Sequence, residues 1–454
     1  MADSERFQPL PAGSHGLDRE QVRVDQARRL REAMIELIAA KGYGAVRIAD
    51  LARVAHVSPP SLYSLYADKE QLLLATYEDV MGRTAGAIAA AHGQEQEPLA
   101  RLGAALRAFA ELAVREPDAI SLLVLGALGA GPAVLPRRRA ALEALEGYIH
   151  ANRSPSETAD PGDLTVRALL GGIREVTAAR LRTRRQQELP ALAVQLATWA
   201  LCYPAQLPAG LAAPSRGTAA GARAAEQDVL SERARLAGVP LRSGRSALAP
   251  EAVARSQQER IVDATAAIVA EQGMAALTVP AIAKRAKVSN QTFYSFYPSK
   301  QDAFLGAQKV GMHQALSVTS QAYGAHPEDW PRAVTAGIAA LLGYLASEPA
   351  HARLTVVDTF AASPAAVGVR EHATEAFRSY LAPGVRRGDG PLAGQPEGSL
   401  AAEAVVGGIW QVLHDYVERG AACMLPEVAP QLAYFTLAPF LGAEAAAAVA
   451  RSAR

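Results

Sequence analysis

A stretch of this chain recurs without a gap 231 residues further on. Residues 42–69 (GYGAVRIADLARVAHVSPPSLYSLYADK) lie over 273–300 (GMAALTVPAIAKRAKVSNQTFYSFYPSK), with identities at Gly42/Gly273, Ala52/Ala283, Val57/Val288, Ser58/Ser289, Tyr63/Tyr294, Ser64/Ser295, Tyr66/Tyr297 and Lys69/Lys300. A period this long exceeds any solenoid repeat and marks a duplicated domain. Whatever one copy folds into, the chain must fold twice.

Each copy reads as three helices. Leu30, Ala33, Met34, Leu37 and Ile38 fall at i, i+3, i+4, i+7 and i+8, one apolar stripe along a helix, and Ile261, Ala264, Ile268 and Val269 repeat it. Gly42 and Gly273 are expected to stop these helices. Thr278 is a good N-cap with Pro280 in the following first turn, where the first copy has Arg47, a weaker cap. Ser58 and Ser289 are expected to cap a third helix with Leu62, Leu65 and Tyr66, or Phe293, Phe296 and Tyr297, packed inward. Its outer positions are then Pro59, Pro60, Ser61, Tyr63 and Ser64 in one copy and Asn290, Gln291, Thr292, Tyr294 and Ser295 in the other. The first turn of such a helix reaches base edges in a major groove, and hydroxyls followed by Lys69 or Lys300 suit phosphate oxygens.

These residues resemble the signature of the tetracycline-repressor (TetR) family: Gly, a Thr/Ser cap, Ile-Ala, Ala/Gly-Val-Ser, then Leu/Phe-Tyr-x-x-Phe/Tyr and Lys. The second copy matches more closely; Arg47 and the Pro59-Pro60 pair are the main departures of the first. The resemblance implies an all-α fold and double-stranded DNA as partner. It also implies DNA contacts from Thr278, Asn290, Gln291, Thr292, Tyr294 and Lys300, with Arg47, Ser58, Pro60, Ser61, Tyr63 and Lys69 as counterparts. It further implies a carboxy-terminal helical domain that dimerises and binds a small effector of unknown identity, and a regulator, more often a repressor than an activator.

The duplication extends beyond the heads. Glu116-Pro117 answers Glu348-Pro349, Arg138 and Tyr148 answer Arg370 and Tyr380, and Gly171-Gly172-Ile173 answers Gly407-Gly408-Ile409. The doubled unit is therefore a full module of about 200 residues. The expected organisation is a disordered 1–20, a helix-turn-helix domain 21–75, a helical domain 76–205, a linker 206–250, a second helix-turn-helix domain 251–306 and a second helical domain 307–445. The linker, rich in Pro, Gly, Ala, Ser and Arg with one short helix expected near 224–237, would span about 35–40 Å as a coil. That reach lets the two modules pair within one chain as a pseudo-dimer; two chains pairing like with like is the alternative. A Gly-Gly pair inside a helix costs about 1 kcal/mol per residue against Ala, and close approach of another backbone would offset it.

Composition narrows the function. The formal charge is +1 over 454 residues, so DNA contact has to come from local placement of Arg and Lys. Only Cys202 and Cys423 occur, too few for a disulfide framework or zinc site. No leader and no run of about 18 apolar residues is found, so the expectation is a cytoplasmic protein with no membrane partner. No phosphate loop, nucleophile elbow or paired catalytic carboxylate is present, so neither an enzyme nor a cofactor is expected. A helical scaffold with heads inactive for DNA is the rival reading. For the effector, the second helical domain is the richer in aromatics (Trp330, Tyr344, Phe360, Trp410, Tyr416). Phe360, Trp410 and His414 are the candidate ligand contacts, Trp410 and His414 at i and i+4.

Overall fold

The computed structural model describes residues 18–126, 134–153, 164–211, 226, 250–359, 364–386, 389–394 and 396–452. Residues 1–17, most of the linker with its expected short helix apart from Glu226, and Phe360 lie outside the described residues. Among the described residues the fold is all helical, in two compact units. One comprises 1–146 and 177–197, the other 147–176 and 198–454. No single described helix is long and apolar enough to cross a membrane.

The first head consists of α1 (Arg19–Lys41), α2 (Ile48–Val54) and α3 (Pro59–Leu65). Asp18 starts α1 by accepting from the Gln21 amide at 2.7 Å, while the Gln21 side chain accepts from the Asp18 amide, a reciprocal cap. Gly42 ends α1 with φ of 74°, a left-handed value that only glycine adopts freely. Arg47 gives α2 no side-chain cap, and Asp50 reaches back to the Arg47 amide instead. Of the stripe expected along α1, Leu30, Ala33, Met34 and Leu37 are buried and Ile38 partly so, packed with Leu51, Leu62 and Leu72 of the following helices. The body of the first module follows as α4 (Lys69–His92), α5 (Pro98–Arg115), α6 (Pro117–Ser121), α7 (Val134–Arg153), α8 (Thr165–Arg182) and α9 (Leu189–Ala200).

The second head repeats the plan in α10 (Pro250–Gln272), α11 (Val279–Ala286) and α12 (Asn290–Phe296). Here Thr278 does cap its helix, accepting from the Ala281 amide at 3.3 Å. The second body comprises α13 (Lys300–Gly324), α14 (Trp330–Ser347), α15 (Pro349–Val356), α16 (Pro364–Ser379), α17 (Ala382–Arg386), α18 (Pro396–Glu418), α19 (Ala429–Leu441) and α20 (Ala443–Ser452). Beyond α4 and α13, each body also adds a leucine to the core of its own head: Leu122 joins the first head's core and Leu354 of α15 the second's.

Within the second unit, the first part of α8 crosses α18 at the two Gly-Gly pairs. A Cβ on Gly171 would lie 2.3 Å from the Gln411 Cβ, and one on Gly407 would lie 2.3 Å from the Glu175 Cβ. Likewise a Cβ on Gly172 would meet the Ala404 carbonyl and the Trp199 ring, and one on Gly408 the Ala168 carbonyl and the Phe435 ring. Every partner is the counterpart of its opposite at an offset of 236. The cost of glycine inside a helix is thus offset by backbone approach that no other residue permits. Around the crossing, Tyr203 stacks on Phe435 at 4.8 Å and donates to the Phe435 carbonyl. The buried Arg370 pairs with Glu175 at 2.8 Å, and Arg167 pairs with Asp415.

Candidate nucleic-acid interface and effector cavity

The turn between the second and third helices of each head passes through a non-glycine residue in the left-handed region, His56 at φ 51° and Lys287 at φ 53°. Such a residue costs energy that its surroundings must offset. In both heads an arginine of the first helix does so. Arg29 Nη1 donates to the Ala55 and His56 carbonyls at 2.7 and 3.1 Å, and Arg260 Nη1 donates to the Ala286 and Lys287 carbonyls at 2.8 and 3.2 Å. Arg29 is only 3% exposed. Sequence reasoning missed this brace, although the pair recurs at the head's own offset of 231.

The brace fixes the start of α3 and α12. Ser58 Oγ accepts from the Ser61 amide at 3.2 Å and Ser289 Oγ from the Thr292 amide at 3.0 Å, so these two serines act as caps. Ser61 and Thr292 close a second link, hydroxyl to hydroxyl, at 2.8 and 2.9 Å. Arg47, Pro60, Thr278, Asn290 and Gln291 are exposed. Tyr63 and Tyr294 are 55% and 57% exposed, against 8% for Tyr66 and Tyr297, which are buried in the core one turn on. Both heads thus present a large, mostly exposed aromatic at equivalent positions, Tyr294 touching the Phe293 ring edge-on at 5.5 Å.

Lys69 and Lys300 have a structural task the sequence did not reveal. Lys69 Nζ donates to the Tyr43 and Val46 carbonyls at 3.1 and 3.0 Å and lies 4.1 Å over the Tyr43 ring. Burial pulls its pKa down. Lys300 Nζ donates to the Leu277 carbonyl at 2.8 Å. Each ammonium thus ties the loop after the first helix to the start of the fourth, and Lys300 has donors to spare for a phosphate.

In the second body a cavity of about 70 Å³ opens between α13, α14, α15, α16, α18 and α19. Trp410 lines it; His414 is buried but is not among the lining residues, so the i, i+4 pair is not brought together on the cavity. Tyr323, Phe377 and Tyr380 line it instead, aromatics that sequence reasoning did not single out. Trp330 buttresses the wall from outside, its indole N–H donating to the Tyr380 carbonyl at 2.9 Å. Thr355 and Val356 bring α15 to the cavity, so the helix that lines it also carries Leu354 into the core of the head.

Two three-helix heads, each with a braced turn and a capped third helix presenting a polar, aromatic face, define a helix-turn-helix protein of the DNA-binding regulator class. The model of the family described as "Bacterial regulatory proteins, tetR family" matches residues 30–76 and again 261–306, so the region this model describes is present twice in tandem in the chain. Solved structures that match part of the chain include the fatty acid degradation regulator FadR from Bacillus halodurans, at 16% identity over 38% of this chain and 96% of that one, TM-score 0.35. They also include FadR from Bacillus subtilis in complex with stearoyl-CoA (17%, 38% and 96%, 0.34) and a TetR-like regulator from Rhodococcus sp. RHA1 (20%, 41% and 98%, 0.34). No curated protein matches the chain.

Proposed function

We propose that this protein is a ligand-responsive transcriptional repressor whose two fused modules act as an intramolecular pseudo-dimer on an asymmetric operator. The observation that carries the pairing is the reciprocity at the Gly-Gly crossing. Gly171 meets Gln411 and Gly407 meets Glu175; Gly172 meets Ala404 and Trp199, and Gly408 meets Ala168 and Phe435. In each case residue i meets j' and j meets i', a reciprocity that supports an isologous two-fold pairing of the two copies within one chain. A dimer of this kind presents recognition helices one DNA turn apart, about 34–36 Å. Light scattering tests it: a mass near the chain's own 47.6 kDa supports the pseudo-dimer, and twice that mass favours pairing of two chains.

The operator asymmetry follows from the unlike third helices. Asn290 and Gln291 can each pair with an adenine edge, discriminating by about 1–3 kcal/mol, whereas Pro60 offers only apolar contact and no amide hydrogen. One half-site is then well specified under the second head. The other, under the first, is held mainly by Tyr63, Ser61 and neighbouring phosphate contacts. Selection of binding sites from random DNA decides, and a palindrome with equally informative halves refutes the reading. Response to an effector requires a ligand that favours one of two forms of the body. Helix α15, which touches both the cavity and the head core, is the connection we assign. Repression is checked by deleting the gene: transcription of bound targets rises for a repressor and falls for an activator.

A further inference from the structure

The walls of the cavity restrict what it can hold. Among its lining residues there is no Asp, Glu, Lys, Arg or His, so no charge is available to pair with a buried ionic group. The hydroxyls on the wall are committed to the protein. Thr319 Oγ1 donates to the Ala315 carbonyl at 2.7 Å, Thr355 Oγ1 to His351 at 2.7 Å and Thr436 Oγ1 to Leu432 at 2.6 Å. Each threonine hydroxyl is therefore engaged by its own helix. Tyr323 likewise donates to the Tyr380 carbonyl at 3.3 Å, leaving Tyr380 as the remaining lining hydroxyl. Leu341, Ile338 and Val406 complete a surface whose remaining polar groups are the Tyr380 hydroxyl and the Trp410 indole N–H, too few to hold a strongly polar solute.

Resting on the ligand-responsive reading above, we propose that this cavity binds an effector whose buried part is an uncharged hydrocarbon chain, laid against Trp410 and α15. The volume of about 70 Å³ is roughly half that of an apolar cavity that admits benzene. A chain of more than a few carbons therefore fits only when the helices lining the cavity separate. Binding then selects an expanded body, and the wall at Thr355 and Val356 moves together with Leu354, which is seated in the core of the second head. Size mismatch is what makes the ligand discriminate between two forms.

The test uses the full chain and straight-chain primary alcohols from butanol to dodecanol, titrated by calorimetry, with a gel shift on selected DNA run in parallel. Affinity is expected to rise about fourfold per added methylene until the chain outgrows the site, the factor set by burying one CH₂. Ala315→Leu, which fills the cavity from α13, is expected to weaken binding of the longer alcohols at least tenfold. Leu341→Phe does the same from α14 should the first variant fold poorly. An affinity independent of chain length overturns the proposal, as does undiminished binding in a folded, cavity-filled variant. A protein that holds its DNA yet takes up no alcohol refutes the hydrocarbon site alone. One that binds alcohols with the expected dependence but never shifts DNA supports the site and refutes the regulator.

Discussion

Replacing Gly408 by alanine tests the helix crossing directly, because the same substitution elsewhere in the chain has the opposite sign. A Cβ at Gly408 would lie 2.6 Å from the Ala168 carbonyl oxygen and 2.7 Å from the Phe435 ring. A helix carbonyl cannot rotate aside, so α8 and α18 must separate. Overpacking of this kind costs about 1–3 kcal/mol, here toward the upper end with backbone on one side and a ring on the other. Alanine returns about 1 kcal/mol through its helix preference, leaving a net loss of about 2 kcal/mol. Gly86 is an exposed helical glycine in α4 with nothing within 4 Å of its would-be Cβ, so Gly86→Ala keeps only the gain of about 1 kcal/mol. At about 2–4 °C per kcal/mol for units of this size, calorimetry should show the second unit's transition fall by about 4–8 °C in Gly408→Ala. In Gly86→Ala the first unit's transition should rise by about 2–4 °C. Calorimetry is needed because a two-unit chain need not melt in one step. A Gly408→Ala protein as stable as its parent would refute the close approach, and with it the main support for pairing in cis.

The buried Arg370–Glu175 pair predicts strong non-additivity. Arg370→Met alone should cost about 3–5 kcal/mol by taking from the buried Glu175 carboxylate its guanidinium, while the double variant with Glu175→Leu should recover most of it, as denaturant titration would show. Burial pushes the Asp358 carboxyl up to about 6, outweighing the nearby Arg353. Because this folded value lies above the usual 3.8, the folded state holds the proton longer than the unfolded one. Stability from this group is therefore complete below about pH 4, is lost as pH rises to about 6 and is constant beyond. Asp358→Asn should abolish that slope and gain up to about 3 kcal/mol at pH 7 over the parent; identical pH profiles for the two proteins would remove Asp358 as the cause. Lys300→Ala should weaken DNA binding about equally on all sequences and lower the salt slope by about one, and an unchanged slope would leave Lys300 with only its tie to the Leu277 carbonyl.

The elements and their repetition are legible in local sequence signals. Apolar spacing, terminal glycines and the caps Ser58, Thr278 and Ser289 are local signals, set by bonds within a few residues, and the structure has helices where they place them. The sequence also marked Gly171-Gly172 and Gly407-Gly408 as costly unless another backbone came close. What it could not say is which backbone, because a contact between residues so far apart in sequence leaves no trace in either neighbourhood. The same limit hid the Arg29 and Arg260 braces, whose carbonyl partners carry no side-chain signature, and the tie that Lys69 and Lys300 make to the loop before α2 and α11. The cavity, in contrast, is a product of long-range packing. Trp410 and His414 share a helical spacing, yet which of them faces a gap depends on how six helices fill space around them. Packing admits Trp410, Tyr323, Phe377 and Tyr380 to the wall and leaves His414 off it.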